Sequence, residues 1–176
     1  MDKKELRSIM RAKIAAMSPD DKMSSSAYIA NEVKRHLAVA GARVVALYSP
    51  LSSEPLLWPL VEELSGKMVV VLPKVEGDVM NFYCYDPQVM VSGAFGIMEP
   101  HGGEPISPYE IDVAIVPGLA FTKDGARMGR GKGYYDKYLS RATFRGLKIG
   151  VCYAGQIVEG LPVEQHDVVM DYVIYK

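Results

Sequence analysis

Apolar side chains recur at Leu6, Ile9, Met10, Ile14 and Met17. That three-and-four spacing lines one face of a helix and predicts an amphipathic helix over residues 3–17. Ser18-Pro19-Asp20-Asp21 then restarts the chain: Ser18 can cap, Pro19 suits the first helical position, and the aspartates complement the positive end of the dipole. The second helix buries Ile29, Val33 and Leu37 and ends where Gly41 can take the left-handed turn. Beyond it the pattern shortens to β-rich runs at 43–48, 67–72, 79–85, 112–116, 148–153 and 168–175. Val69-Val70-Val71-Leu72 and Val113-Ala114-Ile115-Val116 are continuously apolar, as strands buried on both faces of a helix-covered parallel sheet must be. Helical stretches fall at 55–64 and 134–141, and residues 79–85 are expected to form a hairpin with the preceding strand across Glu76-Gly77-Asp78. Residues 93–108, with four glycines and three prolines, read as a long irregular connection. The pattern as a whole predicts an α/β fold, with a mostly parallel sheet flanked by helices and two helices leading it.

Composition narrows the function. At 176 residues, about half of them apolar, the chain supports one core and is read as a single domain, 1–176. Twenty basic and twenty-one acidic side chains leave a formal charge of −1, which provides no broad field for nucleic acid or an anionic membrane. Neither a secretory signal nor a spanning apolar run is present. Cys84 and Cys152, far apart in apolar surroundings, read as two reduced, buried thiols. These features predict a cytoplasmic protein, and the balanced surface leads us to expect a monomer.

Chemistry concentrates between Val116 and Asp136, where a buried strand ends and a helix begins. In open α/β sheets ligands bind at that carboxyl edge. Gly129, Gly131 and Gly133 alternate there, letting backbone N–H groups approach phosphate oxygens, and Arg127, Arg130 and Lys132 add positive charge beside them. Asp136 follows in the first helical turn, where a carboxylate can hold magnesium. The segment is neither a Walker loop nor the dinucleotide pattern, and spacing alone leaves a phosphate site and an ordinary solvated connection both open.

The order of residues is more specific. Pro117-Gly118-x-Ala120-Phe121, followed by Gly125-x-Arg127-Met128-Gly129-Arg130-Gly131-Lys132-Gly133-Tyr134-Tyr135-Asp136, resembles the signature of the 5-formyltetrahydrofolate cyclo-ligase family, also called 5,10-methenyltetrahydrofolate synthetases. Lys3-x-x-Leu6-Arg7 is similar to that family's N-terminal motif, and Leu161-Pro162-x-Glu164-x-His166-Asp167 to its C-terminal one. The resemblance therefore spans most of the chain. It implies a three-layer architecture like that of sugar-phosphate isomerases and CoA-transferases. It also implies an ATP- and magnesium-dependent closure of 5-formyltetrahydrofolate to 5,10-methenyltetrahydrofolate, with release of ADP and phosphate.

The same resemblance distributes roles. Lys3, Lys4 and Arg7 would contact the nucleotide, although by spacing Lys3 and Arg7 are only two charges on a solvated helical face. Arg127, Gly129, Gly131, Lys132, Gly133, Tyr134 and Tyr135 would line the ATP, with Arg130 and Lys132 taking the charge that develops on the transferred group. Asp136 and Asp167 would hold magnesium, although Asp167 by itself reads as a turn residue. Tyr48, Ser49, Glu54, Arg130 and Tyr134 would contact the folate. Glu54 leads into Pro55-Leu56-Leu57-Trp58, where relatives commonly carry a more polar stretch with a threonine. Trp58 is read as core rather than as a stacking platform for the pterin, and His166 is given no role. Three other readings remain distinguishable: a phosphometabolite sensor without chemistry, an RNA-binding module built on the basic loop and its tyrosines, and a sugar-phosphate isomerase that turns over without ATP.

Overall fold

The computed structural model describes residues 2–93 and 96–176. Helix α1 (Lys3–Ala15) opens with a reciprocal capping box between Asp2 and Glu5, and α2 (Pro19–Ala40) runs from the Ser18 cap to Gly41 at φ 61°. Both follow the periodicity. The strands are β1 (Val44–Ala46), β2 (Val69–Glu76), β3 (Val79–Cys84), β6 (Val113–Pro117), β9 (Leu147–Cys152) and β10 (Tyr172–Tyr175), with α3 (Trp58–Ser65) between β1 and β2 and α4 (Tyr134–Leu139) before β9. They form one six-stranded sheet in the order β10-β9-β6-β1-β2-β3. Every neighbouring pair is parallel except the β2–β3 hairpin.

Alternation along the strands makes two cores. Val45, Leu47, Val70, Leu72, Val113, Ile115, Ile149 and Val151 face α2 and α3, whose Ile29, Val33, Leu37, Leu60 and Leu64 cover them. Ala46, Val71, Ala114, Val116 and Cys152 face the other way, onto Tyr138 and Leu139 of α4 with Phe82, Phe121 and Phe144. The period of two therefore yields helix, sheet and helix layers. Helix α1 belongs to neither face: Leu6, Met10 and Ile14 pack on Leu119, Ala120, Met128 and Tyr153, beyond the carboxyl edge of the sheet. The short antiparallel hairpin β7 (Ala120–Phe121) with β8 (Arg127–Met128) supplies most of that platform.

Several expectations are corrected. Val69, at the start of its strand, is 43% exposed, so burial on both faces begins at Val70. Strand β2 runs on through Pro73, which is tolerated because β1 pairs only as far as Val71 and leaves one side of Pro73 without a strand neighbour. Helix α3 starts at Trp58 and β10 at Tyr172, later than the pattern predicts, because the backbone just before each is taken up by the tertiary contacts given below. Residues 93–108 are not wholly irregular: β4 (Met90–Ser92) pairs with β5 (Met98–Pro100), while positions 94 and 95 of that expected connection lie outside the described residues. Cys84 is exposed and only Cys152 is buried, with burial pushing the latter's thiol up to about 12. Trp58 is core as expected, set edge-on to Tyr85 at 5.9 Å. Among the described residues, no helix is long and apolar enough to cross a membrane.

Gly125 ties the β7–β8 hairpin to the chain leading into β10. Its φ is 99°, its carbonyl accepts from the Met170 N–H at 2.9 Å, and a Cβ there would stand 2.2 Å from the Met170 carbonyl. Gly125→Ala is expected to cost about 2 kcal/mol or more, lowering Tm by roughly 5 °C in a chain of this size. An unchanged melting curve would refute that account of the hairpin.

Candidate active site

The chain leaves β1 to build β2 and β3 on one side, then crosses to build β6, β9 and β10 on the other. Strands β1 and β6 therefore flank the point where the sheet reverses direction, and a crevice opens outside their carboxyl ends. A cavity of about 1050 Å³ occupies that crevice. Tyr48, Ser49 and Glu54 enter it after β1, Pro117 and Gly118 at the end of β6, and residues 127–136 line it, as do Lys3, Lys4 and Arg7 of α1 and Asp167. Every residue given a nucleotide, folate, charge-stabilising or metal role from the sequence lines this one space.

The loop after β8 is shaped by its glycines. Gly131 has φ 105° and Gly133, which precedes α4, has φ 70°; L side chains rarely adopt either conformation. Helix α1, anchored by its apolar face, brings Arg7 over the loop, and its Nε donates to the Gly129 carbonyl at 3.0 Å. Lys132 is exposed at the rim, and Tyr134 reaches toward the β2–β3 turn, its hydroxyl 3.5 Å from the Gly77 carbonyl.

Two ion pairs organise the interior. Arg127 is buried: its guanidinium donates to the Pro117 carbonyl at 3.1 Å and to Asp136 Oδ2 at 3.1 Å, and lies 5.5 Å over the Tyr135 ring. The other Asp136 oxygen accepts from the Val168 N–H, one of the contacts that delay β10. Arg130 places Nε and one terminal nitrogen on Glu54 Oε1, at 3.1 and 3.0 Å, and donates to Ser53 Oγ at 2.7 Å. Glu54 is only 7% exposed, and its second oxygen accepts from the Leu51 N–H. The loop after β1 and the glycine loop are thus joined through a guanidinium–carboxylate pair. Burial, with the Glu54 charge adding to it, raises the pKa values of Tyr48 and Tyr135 far above the ordinary phenol range. Both phenols therefore stay neutral near pH 7 and serve as hydrogen-bonding groups, not bases. The Tyr48 hydroxyl is already committed to the Pro55 carbonyl at 2.8 Å.

Lys3 holds the C-terminal segment against α1 through Asp167 Oδ2 at 2.9 Å and Glu164 Oε1 at 3.0 Å. Burial alone would push the Asp167 carboxyl up, but the hydrogen bonds from Lys3 and the Glu164 N–H outweigh it and hold the group below its usual range. Burial pulls Lys3 down, and the two carboxylates more than reverse that. The stability this contact supplies is present at neutral pH. It is lost as pH falls below about 3.9 through the depressed Asp167 value, and as pH rises above about 10.4 through the raised Lys3 value. Lys3→Met is expected to flatten both limbs of a Tm-versus-pH profile, and superimposable profiles would exclude the linkage.

Asp136 and Asp167 reach the cavity from α4 and from the C-terminal loop. Asp136 holds the N–H of the residue that follows Asp167, so the two residues lie together on the cavity wall. Among the described residues, no three His, Cys, Asp or Glu side chains cluster closely enough to form a complete protein cage for a metal. Two hard oxygen donors beside a cationic glycine loop suit magnesium, an ion that keeps several waters and takes further ligands from phosphates. The donor set fits that ion.

Sequence reasoning missed some of the lining. Arg11 follows Arg7 by four residues on the same helical face, a spacing that could have found it. Pro73, Val75 and Met80 of the hairpin, with Ile97 and Glu99, form another wall, and no local pattern announces them. His166 lies beside Glu164, 3.1 Å from its carboxylate, and is exposed.

A cationic glycine loop and two ion pairs around a crevice at the switch point of an α/β sheet are the architecture of a small-molecule enzyme. The model of the 5-formyltetrahydrofolate cyclo-ligase family matches residues 1–176. A 5-formyltetrahydrofolate cyclo-ligase of Mycolicibacterium smegmatis is 34% identical, over 78% of this chain and 75% of its own. The solved structure of Aquifex aeolicus 5,10-methenyltetrahydrofolate synthetase superposes with a TM-score of 0.89 at 38% identity, covering 99% of this chain and 90% of that one. A 5,10-methenyltetrahydrofolate synthetase from Mycoplasma pneumoniae gives 0.81 at 29% identity, covering 99% and 98%. The chain belongs to the 5-formyltetrahydrofolate cyclo-ligase family and is an enzyme of that family, as its three motifs imply.

Proposed function

We propose that the protein uses ATP and magnesium to convert 5-formyltetrahydrofolate into 5,10-methenyltetrahydrofolate, releasing ADP and phosphate. The observation that carries this reading is the single cavity of about 1050 Å³, in which a phosphate-type loop and Glu54 share one arginine. That volume is at or above the roughly 300–1,000 Å³ usual for one drug-sized ligand, which supports two substrates held side by side.

The chemistry follows from a poor leaving group. The formyl oxygen attacks the γ-phosphorus of ATP, and the bond from phosphorus to the ADP oxygen breaks. N10 of the folate then attacks the activated carbon and loses its proton, and the carbon–oxygen bond breaks to release phosphate. The protein's task is positioning and charge stabilisation. Lys3, Lys4, Arg7, Arg127 and the N–H groups from Gly129 to Gly133 bind the nucleotide, flanked by Tyr134 and Tyr135. Arg130 and Lys132 take up charge on the transferred phosphoryl group. Tyr48, Ser49, Glu54 and Tyr134 orient the folate, with Glu54 accepting paired hydrogen bonds from its amino-pyrimidine edge. Asp136 and Asp167 would hold magnesium, which neutralises phosphate charge when bound. The near-balanced charge supports action as a single-domain cytoplasmic monomer, on small molecules rather than nucleic acid or membrane.

The test is purified protein with 5-formyltetrahydrofolate, ATP and magnesium, followed by the near-ultraviolet absorbance of the methenyl product. Product is expected only when all three are present. Turnover without ATP, or tight ATP binding with no product, would reject the reading in favour of an isomerase or a sensor respectively.

A further inference from the structure

Three consecutive residues after β1 have backbone groups gripped from three different elements. Tyr153, just past β9, donates its hydroxyl to the Glu54 carbonyl at 2.9 Å. Tyr48 donates to the Pro55 carbonyl, and the Leu56 N–H donates to Ser26 Oγ of α2 at 2.8 Å. This grip also explains why α3 begins only at Trp58.

Tyr153 is itself held. The Gln156 side chain accepts from the Tyr153 N–H at 2.8 Å and donates to the Gly118 and Leu119 carbonyls at 2.8 and 3.1 Å. Tyr153 and Gln156 are each 1% exposed, and neither lines the cavity. A fully used carboxamide, one acceptor and two donors, thus joins the turn after β6 to the residue that holds Glu54. The neighbouring Pro117 carbonyl accepts from Arg127. An unbroken buried line therefore runs behind the crevice, from the Glu54 loop to the wall that carries the β7–β8 hairpin.

We infer that Tyr153 and Gln156 are positioning residues: through the Glu54 carbonyl they fix where the Glu54 carboxylate stands, and so set the affinity for the folate. This rests on the reading of Glu54 as a folate contact. The pair of arginine and carboxylate cannot do this alone, because Arg130 is also the group assigned to the charge on the transferred phosphoryl group. A buried backbone anchor independent of the ligands keeps the carboxylate in place when Arg130 turns to its phosphate. A purely structural role would lower stability without choosing between substrates.

Tyr153→Phe deletes only the hydroxyl. It is expected to raise KM for 5-formyltetrahydrofolate about tenfold, leaving KM for ATP within about twofold and kcat within about threefold. Because Tyr153 acts through Glu54, the same change in a Glu54→Gln background should shift folate KM by less than about twofold. Equal effects on both substrates, no effect on either, or effects that add in the double variant would overturn the inference. A Glu54→Gln enzyme with unchanged folate KM would instead remove the Glu54 reading on which it stands, so the two failures are distinguishable. Should Tyr153→Phe not fold, as judged by circular dichroism, Gln156→Met, which releases the Tyr153 N–H, takes its place in the same cycle, with the same outcomes decisive.

Discussion

Arg130→Ala is expected to lower kcat about a thousandfold at saturating substrates, the scale on which a lost charge-stabilising donor or arginine shows. Arg130 spans the interval between the loop after β1 and the glycine loop: two of its nitrogens share Glu54 Oε1, and one also reaches Ser53. A guanidinium presents those donors in a fixed fork, whereas an ammonium offers a compact point charge. Arg130→Lys should therefore recover only a minor part of the loss. The alanine variant also strands Glu54, which is 7% exposed, so its folate KM should rise as well. Initial rates at saturating folate and ATP decide the matter. An alanine variant keeping more than about a tenth of kcat would show that the transferred charge is stabilised elsewhere.

The second large effect is on stability. Arg127, with a side chain 3% exposed, pairs with Asp136 at 14% exposure. Arg127→Met leaves that carboxylate without its cation and the Pro117 carbonyl without its donor, which is expected to cost about 3–5 kcal/mol. In a chain of this size that lowers Tm by roughly 10 °C. Removing both charges, as Arg127→Met with Asp136→Leu, should return most of the lost stability, because an apolar pair of similar volume needs no desolvation of ions. The double variant should nevertheless stay inactive. A double variant as unstable as the single one would mean that the pair is a structural support. A double variant that is stable and active would remove Arg127 and Asp136 from the chemistry.

Much of the architecture was legible because short-range patterns report it. The spacing of Leu6, Met10 and Ile14 forms the buried face of α1, and the Ser18-Pro19 start and the Gly41 stop of α2 lie where local backbone chemistry puts them. The Glu76-Gly77-Asp78 turn does join an antiparallel pair. Where boundaries slipped, a distant partner had taken up the backbone. Residues 55–57 stay outside α3 because Tyr48 holds the Pro55 carbonyl and Ser26 the Leu56 N–H, and residues 168–170 do not begin β10 because Asp136 and Gly125 accept from the N–H groups of Val168 and Met170. Pairings of this kind leave no trace in a window of ten or fifteen residues.

The site divides in the same way. The glycine loop with its cations and Asp136 is contiguous, so composition and order mark it, and with the two terminal motifs they were enough to place the chain in its family. Tyr153 and Gln156 carry no such mark: in sequence they are a strand end and a turn, and only the return of β9 beside β6 sets them behind Glu54. The sequence by itself determined the helices, the strands, the glycine loop with its cations and the residue types suited to a phosphoryl group, all of which depend on neighbours close along the chain. Tertiary structure alone decided the strand order that puts the switch point between β1 and β6, and with it the pairing of Arg127 with Asp136 and of Arg130 with Glu54. Which cation meets which carboxylate is settled by where the sheet brings distant loops together, and nothing in local propensity ranks one such pairing above another.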